Sequence, residues 1–339
     1  MTEETMRAVL CEDWCAYDDL KLTDMPRPNA GAKLEPGQAR VAVRYSGVSF
    51  ATTLVVAGKY QRKPPLPFAP GTEIAGEVLE VADGVSHCKV GDRVFGAIDW
   101  GGYAEEAVVP AVNLHVLPEP LALDASVALA ISYPTSYGGL VWRANLQAGE
   151  WLLVHGAAGG VGLAAVEIGL ALGAKVIGVA SSAEKRELLA ARGVDAAIDG
   201  ETLKEQVMEI TGGAGVDVVY DPVGGTVSRA SISCLRPDGR LVSIGYAGGE
   251  IPEIGFNILL VKNISVMGFN YGEYVGWGLK DRRVEFAPRV DAAQAQLLAW
   301  WRDGKINPTI HACLPLDQFR EAMAEVENRR AIGRVVLGI

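Results

Sequence analysis

No uninterrupted apolar stretch of 18 or more residues occurs in the 339-residue sequence, so no membrane-spanning helix is expected. Basic residues are in the minority, 31 against 41 acidic ones, for a net charge of −10. That balance argues against nucleic acid or an anionic membrane as a general partner, although it leaves room for a local cationic pocket. No charged segment leading into an apolar run opens the chain, so no signal peptide is expected and the cytoplasm is the expected location. Cysteines number five, an odd count, and are scattered as Cys11, Cys15, Cys88, Cys234 and Cys313. Such spacing does not suit a disulfide framework. Cys11 and Cys15 lack a nearby second pair or histidine to complete a zinc site. The four histidines are equally dispersed, and His155, at the end of an apolar run, reads as a packing residue.

What is abundant is apolar side chain, at 49%, and glycine, at 40 residues. The length allows two domains of about 150 residues with large cores. Short strand-like runs with Gly and Pro between them fill the first third: Met6–Leu10, Gln38–Arg44, Gly71–Val81, Val90–Gly96 and Gly102–Val109. Pro26–Gly37 connects the first two of these. The spacing predicts an all-β, barrel-like domain. Near Leu123 the character changes. Asp124 is expected to cap a helix over 125–131, and a second helix is expected over 136–144. From Trp151 onward strands and helices alternate, which predicts a parallel sheet covered by helices. Helices over 291–301 and 315–326 and a strand at Arg334–Leu337 complete the reading.

The alternation starts at Trp151-Leu-Leu-Val-His-Gly-Ala-Ala-Gly-Gly-Val-Gly162, a strand running into a glycine turn and then a helix. In that context glycines point to a dinucleotide site. Gly156, Gly159, Gly160, Val161 and Gly162 would bring backbone N–H groups to a pyrophosphate at the positive end of the helix dipole. The following strand, Lys175–Ala180, ends in Ser181-Ser182-Ala183-Glu184-Lys185-Arg186. Carboxylates that hold ribose hydroxyls stand about 20 residues past the glycines in NAD sites, and none stands at Ser181 or Ser182. Hydroxyls and cations there suit a 2′-phosphate, so NADPH is the expected cofactor, with Ser181, Ser182 and Lys185 as its contacts. Ser182 also reads as the N-cap of the next helix.

Five segments in this order resemble the medium-chain dehydrogenase/reductase superfamily and, within it, the zinc-free NADPH:quinone oxidoreductase (zeta-crystallin-like) family. They are Gly71-Thr-Glu-Ile-Ala-Gly76, Val90-Gly-Asp-Arg-Val94, His155–Gly162, Tyr220-Asp-Pro-Val-Gly-Gly225 and Arg330-Ala-Ile-Gly-Arg-Val-Val336. The resemblance implies an α/β fold with a doubly wound Rossmann domain and a GroES-like β-barrel catalytic domain. The implied boundaries are 1–124, 125–270 and 271–339, the last segment returning to the barrel domain, with the active site in the cleft between domains. Zinc-dependent relatives carry a histidine where Thr72 stands, and their cysteine ligand and four-cysteine lobe have no counterpart here. The resemblance therefore implies no metal.

It further implies hydride transfer from NADPH to a quinone or a related α,β-unsaturated carbonyl by a homodimer, paired through the strand at Ile264–Phe269. Ser49 and Thr52 replace the Asn and Asp of the family's Asn-Phe-x-Asp segment and are the expected catalytic hydroxyls, together with Tyr60 and Thr135. Tyr60 reads alternatively as packing on Pro64–Pro67, and Thr135 as a helix cap. Thr135, Tyr246, Phe269 and Arg334 are expected around the cofactor. Phe269–Gly278 reads as a mobile wall over the substrate or as a surface loop at a subunit contact. An enoyl-thioester reductase is the close alternative, and a non-catalytic NADPH-binding protein is a second one.

Overall fold

The structure is a computed structural model in which residues 5–28 and 33–339 are described; residues 29–32 of the Pro26–Gly37 connection lie outside the described residues. Its strands are β1 (Thr5–Leu10), β2 (Lys21–Pro26), β3 (Gln38–Val48), β4 (Glu73–Val81), β5 (Arg93–Ala97), β6 (Glu106–Pro110), β7 (Leu114–Val116), β8 (Trp151–Val154), β9 (Lys175–Val179), β10 (Ala196–Ile198), β11 (Val216–Asp221), β12 (Leu235–Ser243), β13 (Ser265–Gly268), β14 (Ile310–Pro315) and β15 (Arg334–Gly338). The chain divides into two compact units. One comprises residues 1–131, 272–294 and 308–339, and the other residues 132–271 and 295–307.

The first unit is built on a seven-stranded sheet of order β14-β15-β3-β4-β5-β7, with β6 also pairing β3. Strand β3 explains its own position. Ala39, Val41 and Val43 alternate with more exposed neighbours and are buried, the period-2 pattern of a strand with one face on a core. Gly76 in β4 is required by that pairing, because a Cβ there would stand 2.0 Å from the Ala42 carbonyl oxygen of β3. Strand β15 runs antiparallel to β3 and parallel to β14. Strands β2 and β14 were not expected from the sequence. Asp124 is not the N-cap of its helix, Leu123–Ala130. The cap position is Ala122, and the Asp124 carboxylate accepts the adjacent Ala125 N–H from inside the first turn.

The second unit holds a six-stranded, wholly parallel sheet of order β10-β9-β8-β11-β12-β13. Numbered from β8, this is the doubly wound order 3-2-1-4-5-6. Every residue of β11 is buried, as expected for a central parallel strand covered on both faces. Leu153, Ile177, Val219 and Leu241 form the middle of one core with the helix residues Leu203, Val207 and Ile232. The helix expected over 136–144 is instead an α-helical turn, Ser132–Tyr137, that passes into a π-helical one, Gly138–Arg143. Wide turns of this kind accommodate bulky neighbours. A Cβ at Gly138 would lie 2.1 Å from the Phe269 ring, and one at Gly139 would lie 3.0 Å from Ile244.

Candidate active site

In the second unit the C-terminal ends of β8, β11 and β12 feed three loops along one sheet edge. Strand order reverses between β8 and β11, and such a switch point opens the crevice in which open α/β sheets bind ligands. After β8 the backbone turns through Gly156, whose φ of +56° lies in the left-handed region. The helix Gly160–Ala171 follows, with Gly159 at its cap and no side chain bonded there. The first N–H groups of a helix have no intrahelical acceptor, so Gly160, Val161 and Gly162 present donors. Gly162 admits no side chain, since a Cβ would sit 2.1 Å from the Gly156 carbonyl oxygen, whereas the nearest atom to one on Gly159 is 3.4 Å away. The turn is thus tight inside and bare outside, a cradle that fits a pyrophosphate.

The loop after β11 is held by Asp221. One carboxylate oxygen accepts the N–H groups of Val223 (2.8 Å) and Gly224 (3.0 Å), and the other accepts the Ser228 hydroxyl. The loop after β12 lies against it, with Ala247 and Gly248 N–H donating to the carbonyls of Pro222 and Val223. Tyr246 is 42% exposed here and abuts Gly224. His155 is a packing residue: buried, 2.7 Å from Ser231 Oγ, with its pKa pushed down to about 4 by burial despite the nearby Asp221 carboxylate.

Past β9, Ser181 and Ser182 are exposed. Ser182 caps the helix Ala183–Ala191 by accepting the Lys185 N–H at 3.3 Å. Burial lowers the Lys185 pKa. Arg186 donates to the carbonyls of Ala180 and Ser181, which holds that guanidinium beside the serines. Thr135 is buried in the middle of the helix Ser132–Tyr137 and is not a cap. Its neighbour Ser136 ties this helix to the glycine helix, donating to the Val161 carbonyl at 2.7 Å and meeting the Tyr220 hydroxyl at 2.8 Å. Phe269 is an interior residue, edge-on to Trp142 at 6.1 Å.

In the first unit a pocket opens among Thr52, Tyr60, Phe68, Thr72, Trp100 and Trp277. Thr52 Oγ1 lies 3.1 Å from Ser49 Oγ, which also accepts the Thr52 N–H and caps the helix Phe50–Val56. Tyr60 lines the pocket together with Pro64, and burial raises the pKa of its hydroxyl. Burial likewise raises that of Tyr103, which is bonded to Thr52, so both phenols stay protonated donors at neutral pH. Arg334 is not offered to a cofactor. It is buried in this unit and pairs with the fully buried Glu73 at 2.6 Å. Desolvation raises the Glu73 pKa, and Arg334 opposes the rise. Sequence reasoning passed over Arg62, Asp99 and Trp100 on the pocket wall, and no spacing marked them. Trp277 lay within the aromatic segment it did single out. Among the described residues no group of three or more His, Cys, Asp and Glu could hold a metal ion.

Known proteins repeat both halves of this arrangement. The alcohol dehydrogenase GroES-like domain matches residues 35–119, and the zinc-binding dehydrogenase family matches residues 160–283. Quinone oxidoreductase-like protein 2 homolog of Nematostella vectensis is 42% identical over 90% of this chain and 82% of its own length. Escherichia coli quinone oxidoreductase, solved in complex with NADPH, superposes with a TM-score of 0.86 over 99% of both chains at 28% identity. The enoyl reductase CurK gives 0.84 over 99% of both chains at 25% identity. A chain with a glycine cradle at the switch point of a 3-2-1-4-5-6 sheet and a GroES-like unit thus comes with relatives of one kind, and it belongs to the quinone oxidoreductase family of the medium-chain dehydrogenase/reductase superfamily.

Proposed function

We propose that the protein is a zinc-independent oxidoreductase that transfers hydride from NADPH to a quinone or a related α,β-unsaturated carbonyl. The observation that carries this reading is the glycine cradle at the switch point, followed one strand later by Ser181, Ser182 and Lys185 where a ribose-binding carboxylate would otherwise stand. Backbone N–H groups of Gly160, Val161 and Gly162 hold the pyrophosphate. Ser181, Ser182 and Lys185 hold the 2′-phosphate. Thr135 and Tyr246 border the nicotinamide end. The bound nucleotide supplies a hydride from its nicotinamide ring. Charge that develops on the acceptor oxygen is met by neutral donors, the hydroxyls of Tyr60, Thr52 and Ser49, and a protonated phenol is suited to complete the reduction. Thr72, where zinc-dependent relatives have a histidine, is a poor zinc ligand, which favours a mechanism carried by hydroxyls.

The decisive experiment is quenching of tryptophan fluorescence by NADPH and by NADH in the wild type and Lys185→Ala. Tighter NADPH binding that weakens by about tenfold in the variant, with NADH binding unchanged, supports the reading. Equal affinities in both proteins overturn the phosphate site. An enoyl-thioester reductase is the second reading, favoured by the likeness to CurK. Competition by acyl-CoA esters against a quinone separates the two.

The working form is proposed to be a homodimer. Among the described residues strand β13 ends the sheet, paired to β12, and in the segment that leads into it Ile251, Phe256, Leu260 and Val261 are 70–86% exposed. Large apolar side chains this exposed, close in sequence to an open strand edge, are suited to a second copy of the same edge.

A further inference from the structure

The acceptor pocket has a charge pattern that simple quinone reduction does not use. Its lining is apolar and aromatic apart from Tyr60, the two threonines and one ion pair, Arg62 and Asp99. The Arg62 guanidinium lies 5.3 Å from the Trp100 ring and 5.7 Å from the Trp277 ring, and it donates to the Asp99 carboxylate at 2.6 Å and to its carbonyl at 3.2 Å. Asp99 is shared. Arg283, 7% exposed, donates through Nη2 to both carboxylate oxygens, at 3.0 and 3.2 Å. A second carboxylate, Asp281, accepts from Arg283 Nε, and its side chain is 55% exposed. The cluster carries two guanidiniums and two carboxylates, and of these the Arg62 guanidinium and the Asp99 carboxylate line the pocket.

The unsatisfied buried atoms of this cluster, Arg283 Nη1 and Trp277 Nε1, are both donors, and Trp277 lines the pocket. Buried donors left unpaired are unfavourable, so the group that suits this wall is an acceptor, and an anionic one suits it best.

We infer that the physiological acceptor is a planar carbonyl compound that carries a carboxylate away from its reacting oxygen, and that Arg62 is the residue that selects it. The inference rests on the quinone or enone reading of the same pocket. It names a specificity element and leaves the hydride step as proposed.

The test uses 2-carboxymethyl-1,4-naphthoquinone and its methyl ester, in which the methylene separates the charge from the ring. Dissociation constants from tryptophan quenching and kcat/KM with NADPH are measured for wild type, Arg62→Met and Arg62→Lys. Expected is about tenfold tighter binding of the carboxylate than of the ester in the wild type, a ratio near one in Arg62→Met, and a preference kept by Arg62→Lys, which a packing role alone would not restore. Equal binding of acid and ester by the wild type, or an undiminished ratio in Arg62→Met, overturns the inference. Turnover of the ester alongside equal binding leaves the quinone reading intact. Charge-selective binding with no NADPH oxidation by either compound refutes that reading and leaves the pocket's preference standing.

Discussion

At the scale of the residue, the site is fixed by atoms that leave no room. A Cβ on Gly162 would stand 2.1 Å from the carbonyl oxygen of Gly156, which is backbone and cannot swing aside. Gly162→Ala must push the turn away from the helix start and misdirect the first N–H groups. The expected result is NADPH binding weakened by at least about tenfold, read by fluorescence titration, in a protein whose far-UV circular dichroism is unchanged. Gly159→Ala, with 3.4 Å of clearance, should retain a folded turn, and any loss of binding there would report the ligand's own approach. The hydroxyls differ in the same way. Ser182 serves its helix, and Ser49 serves the helix that presents Thr52, so each is structural before it meets a ligand.

At the scale of the element, what the sequence revealed was whatever is settled within a few residues. The cap at Ser182 follows from one serine before a helix, and β11 follows from six consecutive residues that are all buried in the sheet. The glycine turn was legible for the same reason. Strand β14 was not: its residues alternate between half-buried and exposed, and its pairing to β15 is set by tertiary contact. The helix Phe256–Lys262 was missed because Phe256, Ile258, Leu260 and Val261 are exposed and Leu259 alone of its apolar residues packs on the core of the described residues. The pair of Glu73 with Arg334 lies 261 residues apart in sequence, beyond any local pattern, and it turned an expected cofactor contact into an interior ion pair. Arg62 escaped because its meaning comes from Trp100, Trp277 and Asp99, which only folding brings to it. That same exposed helix and the edge strand β13 carry the proposed dimer. Light scattering of the wild type should give twice the chain mass of 35.9 kDa, and Leu260→Asp should give the chain mass itself. A wild type that scatters as a single chain at micromolar concentration would exclude the dimer.

At the scale of the whole molecule, stability depends on acidity through two enclosed histidines, His155, which is buried, and His115, whose side chain is 12% exposed. His155 and His115 both have pKa values pushed down to about 4 by burial from an ordinary value of 6.5. The folded state keeps them neutral while the unfolded chain protonates them. The stability they contribute is complete above pH 6.5 and is lost as pH falls from there toward 4, by on the order of a few kcal/mol. Urea midpoints should therefore drop across that interval, and His155→Gln should make the drop shallower. A midpoint that stays constant from pH 7 to 4.5 would contradict the burial of these rings.

Strand β15 has a consequence for how the chain is made. It lies inside its sheet, between β3 and β14, and Arg334 at its start neutralises a carboxylate belonging to β4. The parallel sheet of the second unit draws all its strands from residues 151–268 and is complete in sequence well before Arg334 is synthesised. During translation the later-starting unit has everything it needs first. The unit that begins the chain waits, with Glu73 uncompensated and the Tyr45–Val48 end of β3 without its partner, for a strand that emerges 261 residues after that glutamate. For that interval the nascent protein depends on whatever shields an open β edge.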